Sequence, residues 1–264
     1  LSAVKVNRAL MSSEEHLVKL GFKFGKNGAH SARSLMYSEL KTLLDGRPEQ
    51  ATRHDYQQDI ELYNVLHKSS DNARKLTFRH LVDLYGISPE IPLFHVFRQL
   101  WERSEEAQPL LTLQLALARD PLLRQTQSLI STTPLGDVLE REQVEHILAA
   151  PDPNRFSPAS LRSFAQNING SWTHAGFLQG KYKKVRTSPV VTYVNAAFAL
   201  FLGHCEGRAG QGLFQTPWFQ LLNLDPAEGY ELAYMASLHG VISYKQASGI
   251  VEIRFPLWPI APAS

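Results

Sequence analysis

In Asp120-Pro121, Ser157-Pro158 and Asp225-Pro226 a helix-capping side chain stands directly before a proline at the head of a helical pattern. Each pair marks a helix start. The capping oxygen accepts a backbone N–H that has no partner inside the helix, and the fixed φ of proline suits the first helical position, where no N–H is needed. Glu228, three residues after Asp225, completes a capping-box pattern. Starts of this kind, far apart, divide the chain into separate helices.

Apolar spacing fills in between them. "SARSLMYSELKTLLD" places Leu35, Met36, Leu40, Leu43 and Leu44 on one helical stripe, and "RHDYQQDIELYNVLHK" repeats it with Tyr56, Ile60, Tyr63 and Leu66. "SDNARKLTFRHLVDLYG" closes on Gly86, a glycine stop. "LFHVFRQLWERS", "PLLTLQLALAR" and "DPLLRQTQSLI" follow, and nothing from 31 to 130 reads as a strand. Residues 1–130 are therefore expected to form a helical bundle.

The second half has another rhythm. "GDVLEREQVEHILAA" (136–150) reads as a helix, "PDPNRF" as a turn and "SPASLRSFAQNING" as a second helix. A basic stretch with Gly176, Gly180 and the alternation "KYKKV" then suggests an irregular hairpin. Helix, turn, helix, hairpin is the order of a winged helix, here over 131–189. The order recurs over 190–264 in "VVTYVNAAFALFLGHCEG", "TPWFQLLN", "LDPAEGYELAYMASLHG" and the hairpin "VISYKQASGIVEIRF". In that hairpin, period-two alternation puts Val251, Ile253 and Phe255 on one face. The expected fold class is mainly α: a bundle followed by two winged-helix-like modules.

Composition limits the function. Hydrophobic content of 44% with 20% charged residues places the chain among globular proteins. Its one cysteine, Cys205, excludes an internal disulfide framework and reads as a small buried side chain. No stretch reads as a secretory leader, and the greasiest run, 190–203, is shorter than the roughly twenty residues a bilayer needs. A cytoplasmic protein without membrane association is expected.

Charge is unevenly spread. Net charge is only +2, yet the 53 residues between Asp152 and Glu206 hold no acid and six cations: Arg155, Arg162, Lys181, Lys183, Lys184 and Arg186. That segment carries +6, leaving −4 for the rest. One strongly basic fifth in a near-neutral chain is the footprint of a polyanion-binding face. Duplex DNA is the expected partner. Ser160, Arg162, Gln166 and Asn167 supply groove-reading side chains from the helix, with Arg155 ahead of it and Lys181, Lys183, Lys184 and Arg186 on the hairpin. The alternative is a scaffold whose basic segment docks an acidic protein. In the C-terminal module the corresponding helix carries Glu228 and Glu231 without Lys or Arg, which suits contact with protein rather than phosphate.

Other constellations are weaker. Arg74, Lys75, Arg79 and His80 lie between Asp71 and Asp83 and read as a solvated face. Gly21, Gly25 and Gly28 surround Lys26, but "GFKFGKNGAHSARS" lacks the Gly-Lys-Ser/Thr ending of a nucleotide loop. His-Glu-x-x-His, paired cysteines and Gly-x-Ser-x-Gly do not occur, so a non-enzymatic protein without cofactor or metal is expected.

In "GAHSARSLMYSELKTLL", "RKLTFRHLVDLYGI" followed by "PLFHVFRQLW", "PLLTLQLALARDPLLR" and "FSPASLRSFAQNINGSWTHAGFLQGK", the chain resembles BrxA, the small helical DNA-binding component of BREX phage-exclusion systems. The resemblance implies a mainly helical protein with helix-turn-helix elements, binding to double-stranded DNA, and other subunits of a defence complex as partners.

Overall fold

The computed structural model describes residues 13–258; the start of the chain, where no leader is expected, lies largely outside them. Helix α1 (13–20) is followed by a 3-10 turn at Ala29–Ser31 and by α2 (Tyr37–Asp45), α3 (Arg53–Glu61) and α4 (Asp71–Tyr85). Next come α5 (Pro92–Trp101), α6 (Gln108–Arg119), α7 (Pro121–Gln125) and α8 (Gln127–Thr132). The middle of the chain holds β1 (Val138–Leu139), α9 (Arg141–Ala149), α10 (Pro158–His174), β2 (Leu178–Gln179) and β3 (Lys184–Arg186). The last part holds α11 (Tyr193–Cys205), a 3-10 turn at Gly210–Gln215, α12 (Pro217–Gln220), α13 (Pro226–Leu238), β4 (Ser243–Ala247) and β5 (Ile250–Arg254). The protein is mainly helical.

Those three cap–proline pairs open helices, and Thr216-Pro217 opens α12 in the same way. Asp120 accepts from the Leu122 and Leu123 N–H groups, Ser157 from Ser160, and Asp225 from Ala227 and Glu228. The Glu228 carboxylate in turn accepts from the Asp225 N–H at 3.1 Å. At the other end of α4, Gly86 takes the left-handed conformation (φ 71). A Cβ there would also sit 2.7 Å from the Arg119 guanidinium, so glycine is doubly required.

Three sequence expectations are corrected. The 31–45 stripe is buried at Leu35, Met36, Leu40, Leu43 and Leu44, but the helix begins only at Tyr37, because Met36 is left-handed (φ 49). The next helix ends at Glu61 and leaves Tyr63 exposed: Asn64 turns left-handed (φ 52), and its side chain bonds the backbone N–H and carbonyl of Lys68. Within 136–150, Val138 and Leu139 form a strand rather than helix, paired antiparallel with Val185 and Lys184. That pairing makes a three-stranded sheet in the order β1-β3-β2.

Two helices form the centre. Every residue of α6 except Pro109 is buried, as are eleven of the thirteen in α11, and helices apolar on all sides belong inside. Polar bonds join them: Gln114 Nε2 donates to the Asn195 carbonyl (2.9 Å), and Asn195 Nδ2 donates to the Ala107 carbonyl (3.0 Å). The expected boundary at residue 130 falls within α8, and side chains from 1–130, 131–189 and 190–264 share one continuous apolar core. Cys205 is buried there, its thiol pushed up by desolvation and then by the nearby Glu206 charge. Among the described residues no helix is long and apolar enough to cross a membrane.

Candidate nucleic-acid interface

The basic segment folds as α10 followed by the β2–β3 hairpin. Gly180 sets the hairpin turn with φ 95, and a Cβ on it would lie 2.2 Å from the Lys183 carbonyl oxygen. Only glycine fits. The turn lifts Lys181, Tyr182 and Lys183 into solvent; Tyr182 is 89% exposed, with the Lys181 ammonium 5.3 Å from its ring centre.

The expected site residues do not all share one environment. Arg162 and Gln166 are exposed one helical turn apart on α10. Lys184 is half-buried and donates Nζ to the Gly180 carbonyl at 2.7 Å; desolvation lowers its pKa. Ser160 is drawn into the helix cap, 2.9 Å from the Ser157 hydroxyl. Arg155 stacks on Phe156 and donates to the Asn27 side chain at 2.6 Å. Asn167 donates to the His30 carbonyl at 3.0 Å. Arg186 is turned away from solvent altogether. It is 3% exposed, packs over Phe177, and donates to the carbonyls of Ile130 (2.9 Å) and Thr187. As a buried staple under the sheet it is no phosphate contact, because its guanidinium is taken up by the Ile130 and Thr187 carbonyls.

Gln166, Lys181 and Lys184 meet around one cleft of about 540 Å³, together with Arg141, Tyr182 and Asn169. Asn169 is 4% exposed, and its Oδ1 meets no hydrogen-bond partner among the described residues. A buried acceptor facing a cleft is ready for a donor from outside. It lies three residues beyond Gln166, so helical spacing carried that signal. Spatial charge was less legible. Glu140 and Glu142, which precede the acid-free span, line the same cleft; Arg141 pairs with Glu142 at 2.6 Å. The Glu142 carboxyl is held below the usual range by its own backbone N–H, then by Arg141. Acids absent from the sequence segment are thus present in space.

Beneath α10 lies a relay that sequence spacing did not reveal. His30 Nδ1 is 2.8 Å from Asp120 Oδ2, and His30 Nε2 is 2.8 Å from Ser171 Oγ. The order Asp–His–Ser resembles a hydrolase triad, but His30, Asp120 and Ser171 are all 0% exposed. A nucleophile needs a path for substrate, and here the groups join the 3-10 turn and the head of α7 to α10. Gly28 permits this, since a Cβ on it would fall 1.9 Å from Asp120 Oδ1. Among the described residues, no three His, Cys, Asp or Glu side chains gather to hold a metal ion.

No family model matches the chain, and no curated protein matches it.

Proposed function

We propose that this protein is a non-enzymatic duplex-DNA-binding subunit and that residues 127–187 act as a winged helix-turn-helix. The order α8, β1, α9, α10, β2, β3 with sheet order β1-β3-β2 supports the reading. In such a module α10 enters the major groove and the hairpin tip rests on the backbone. The observation that carries the proposal is the cleft shared by Gln166 of α10 with Lys181 and Lys184 of the hairpin, flanked by exposed Arg162 on the helix and exposed Lys183 at the tip. The second unit, α11 to β5, serves protein contact: α13 exposes Glu231, Tyr234 and Leu238 on one stripe and carries no cation. With the resemblance to BrxA, the setting is a multi-protein phage-defence complex of the BREX kind.

Fluorescence anisotropy with labelled duplexes tests this. Replacing Lys181, Lys183 and Lys184 by Ala should weaken binding nearly equally across sequences, since phosphate contacts position without specifying. The slope of log affinity against log salt should shallow by about 0.9 for each phosphate no longer neutralised. Arg162→Ala should instead alter sequence preference, by about 1–3 kcal/mol for each base-edge bond removed. A folded triple variant with unchanged affinity and slope would refute the proposal and favour the acidic-protein partner.

A further inference from the structure

A second cationic cavity, of about 310 Å³, opens beside the start of α10; its wall includes Lys23, Asn27, Arg79, His80, Asp83 and Arg119. Three cations stand against one acid, and the balance of partners is uneven. Lys23 already pairs with Asp83 at 3.0 Å. Arg119 is buried and donates to the carbonyls of Gly21 and Val82; desolvation brings its pKa down to about 10. Arg79 is exposed and has no hydrogen bond or ion pair among the described residues. His80 is 8% exposed, and its ring has no hydrogen-bond partner among the described residues. Its ring nitrogens are open to the cavity and not sealed in the core, so they can take a partner from outside. An imidazole in a cationic wall, with a free guanidinium one residue away, lacks an anion.

We propose that this cavity binds a phosphate group, with Arg79 supplying charge and a fork of donors and His80 a cavity-facing ring N–H. Arginine forks match phosphate oxygens in geometry. The position suits a duplex as donor of that phosphate. Asn27, in the cavity wall, accepts from Arg155, which lies three residues before the first residue of α10. A backbone running past the head of α10 would reach it, and to that extent the source rests on the DNA-binding reading; the phosphate chemistry does not.

The test is NMR of the full chain with labelled histidine, titrated first with inorganic phosphate, with chloride at matched ionic strength as control, and then with a short duplex. Phosphate should shift the His80 ring signals saturably and raise its pKa, which burial, then Arg33 and Arg79, hold below the usual value against the opposing pull of Asp83. Arg79→Ala, at an exposed position, should weaken the phosphate response about tenfold or more, and Arg79→Lys should restore part of it. A His80 response to the duplex assigns the phosphate to the DNA backbone; a response to inorganic phosphate alone assigns it to a free anion. The Lys181, Lys183 and Lys184 triple variant should keep the inorganic-phosphate response whether or not it binds duplex, which separates failure of the hairpin reading from failure of this one. Unshifted His80 signals with both probes would overturn the proposal.

Discussion

Asp120→Asn should destabilise the protein far more than its small change in shape suggests. The Asp120 carboxylate accepts four bonds in full burial: from the His30 ring at 2.8 Å, the His30 backbone at 2.9 Å, and the Leu122 and Leu123 N–H groups at 2.9 and 3.1 Å. An asparagine can keep its oxygen on the two cap N–H groups, but its NH₂ then faces His30. The imidazole can answer by changing tautomer; the His30 backbone N–H cannot. One buried donor is stranded, at about 1–3 kcal/mol, and a charge-assisted bond becomes a neutral one, so the loss is about 3 kcal/mol. That lowers the folded-to-unfolded ratio roughly a hundredfold. Urea unfolding followed by tryptophan fluorescence reads it, since Trp172, the neighbour of Ser171, is buried and bonded to Thr126. The pH dependence provides a second arm. Burial raises the Asp120 pKa, but the His30 charge and the hydrogen bonds from His30 and Leu123 outweigh it, so the net shift is downward. Stability from a depressed carboxylate is present above its unfolded value near 3.9 and is lost as pH falls through the folded value. Parent and variant should therefore converge below about pH 4. A loss under about 1 kcal/mol at pH 7, or parallel curves down to acid pH, would refute the reasoning.

Arg186→Gln should cost about 2–4 kcal/mol by leaving the Ile130 and Thr187 carbonyls poorly paired, and thermal unfolding should show it; the salt slope of DNA binding should stay unchanged in the folded fraction. Ile253→Ala, on the buried face of β5, should cost about 2–3 kcal/mol in denaturant while sparing DNA affinity per folded molecule. Equal loss of DNA binding there would mean that the C-terminal unit, not α10, carries the interface.

Much of the local structure was legible because its causes are local. Asp120, Ser157 and Asp225 cap where cap chemistry says they must, and the β4–β5 hairpin turns at Ser248 and Gly249, both at positive φ. What escaped depends on neighbours distant in sequence. Val138 and Leu139 fit a helical stripe as well as a strand; only Val185 and Lys184, arriving from the hairpin, decide. Arg186 reads as a fourth cation on the tip because its run is basic, whereas the Ile130 and Thr187 carbonyls, the first of them distant in sequence, hold it inside. Arg79 and His80 read as a solvated face, since nothing in their own helix announces the 28–32 loop that builds a cavity against them.

The bonds of His30 with Asn167 and Ser171 span 137 and 141 residues. A ribosome adding about 5–20 residues per second needs roughly seven to thirty seconds to deliver Ser171 after His30. Throughout that interval the N-terminal helices can form and the 28–32 loop can meet α4 and Asp120, but its partners on α10 are still missing. The nascent chain therefore holds its first hundred and seventy residues in an unfinished state, a window in which a chaperone or an assembling partner can engage it. Fragments ending near residue 130 should not reproduce the packing of the N-terminal part, because the strap that crosses it is fastened from the other side.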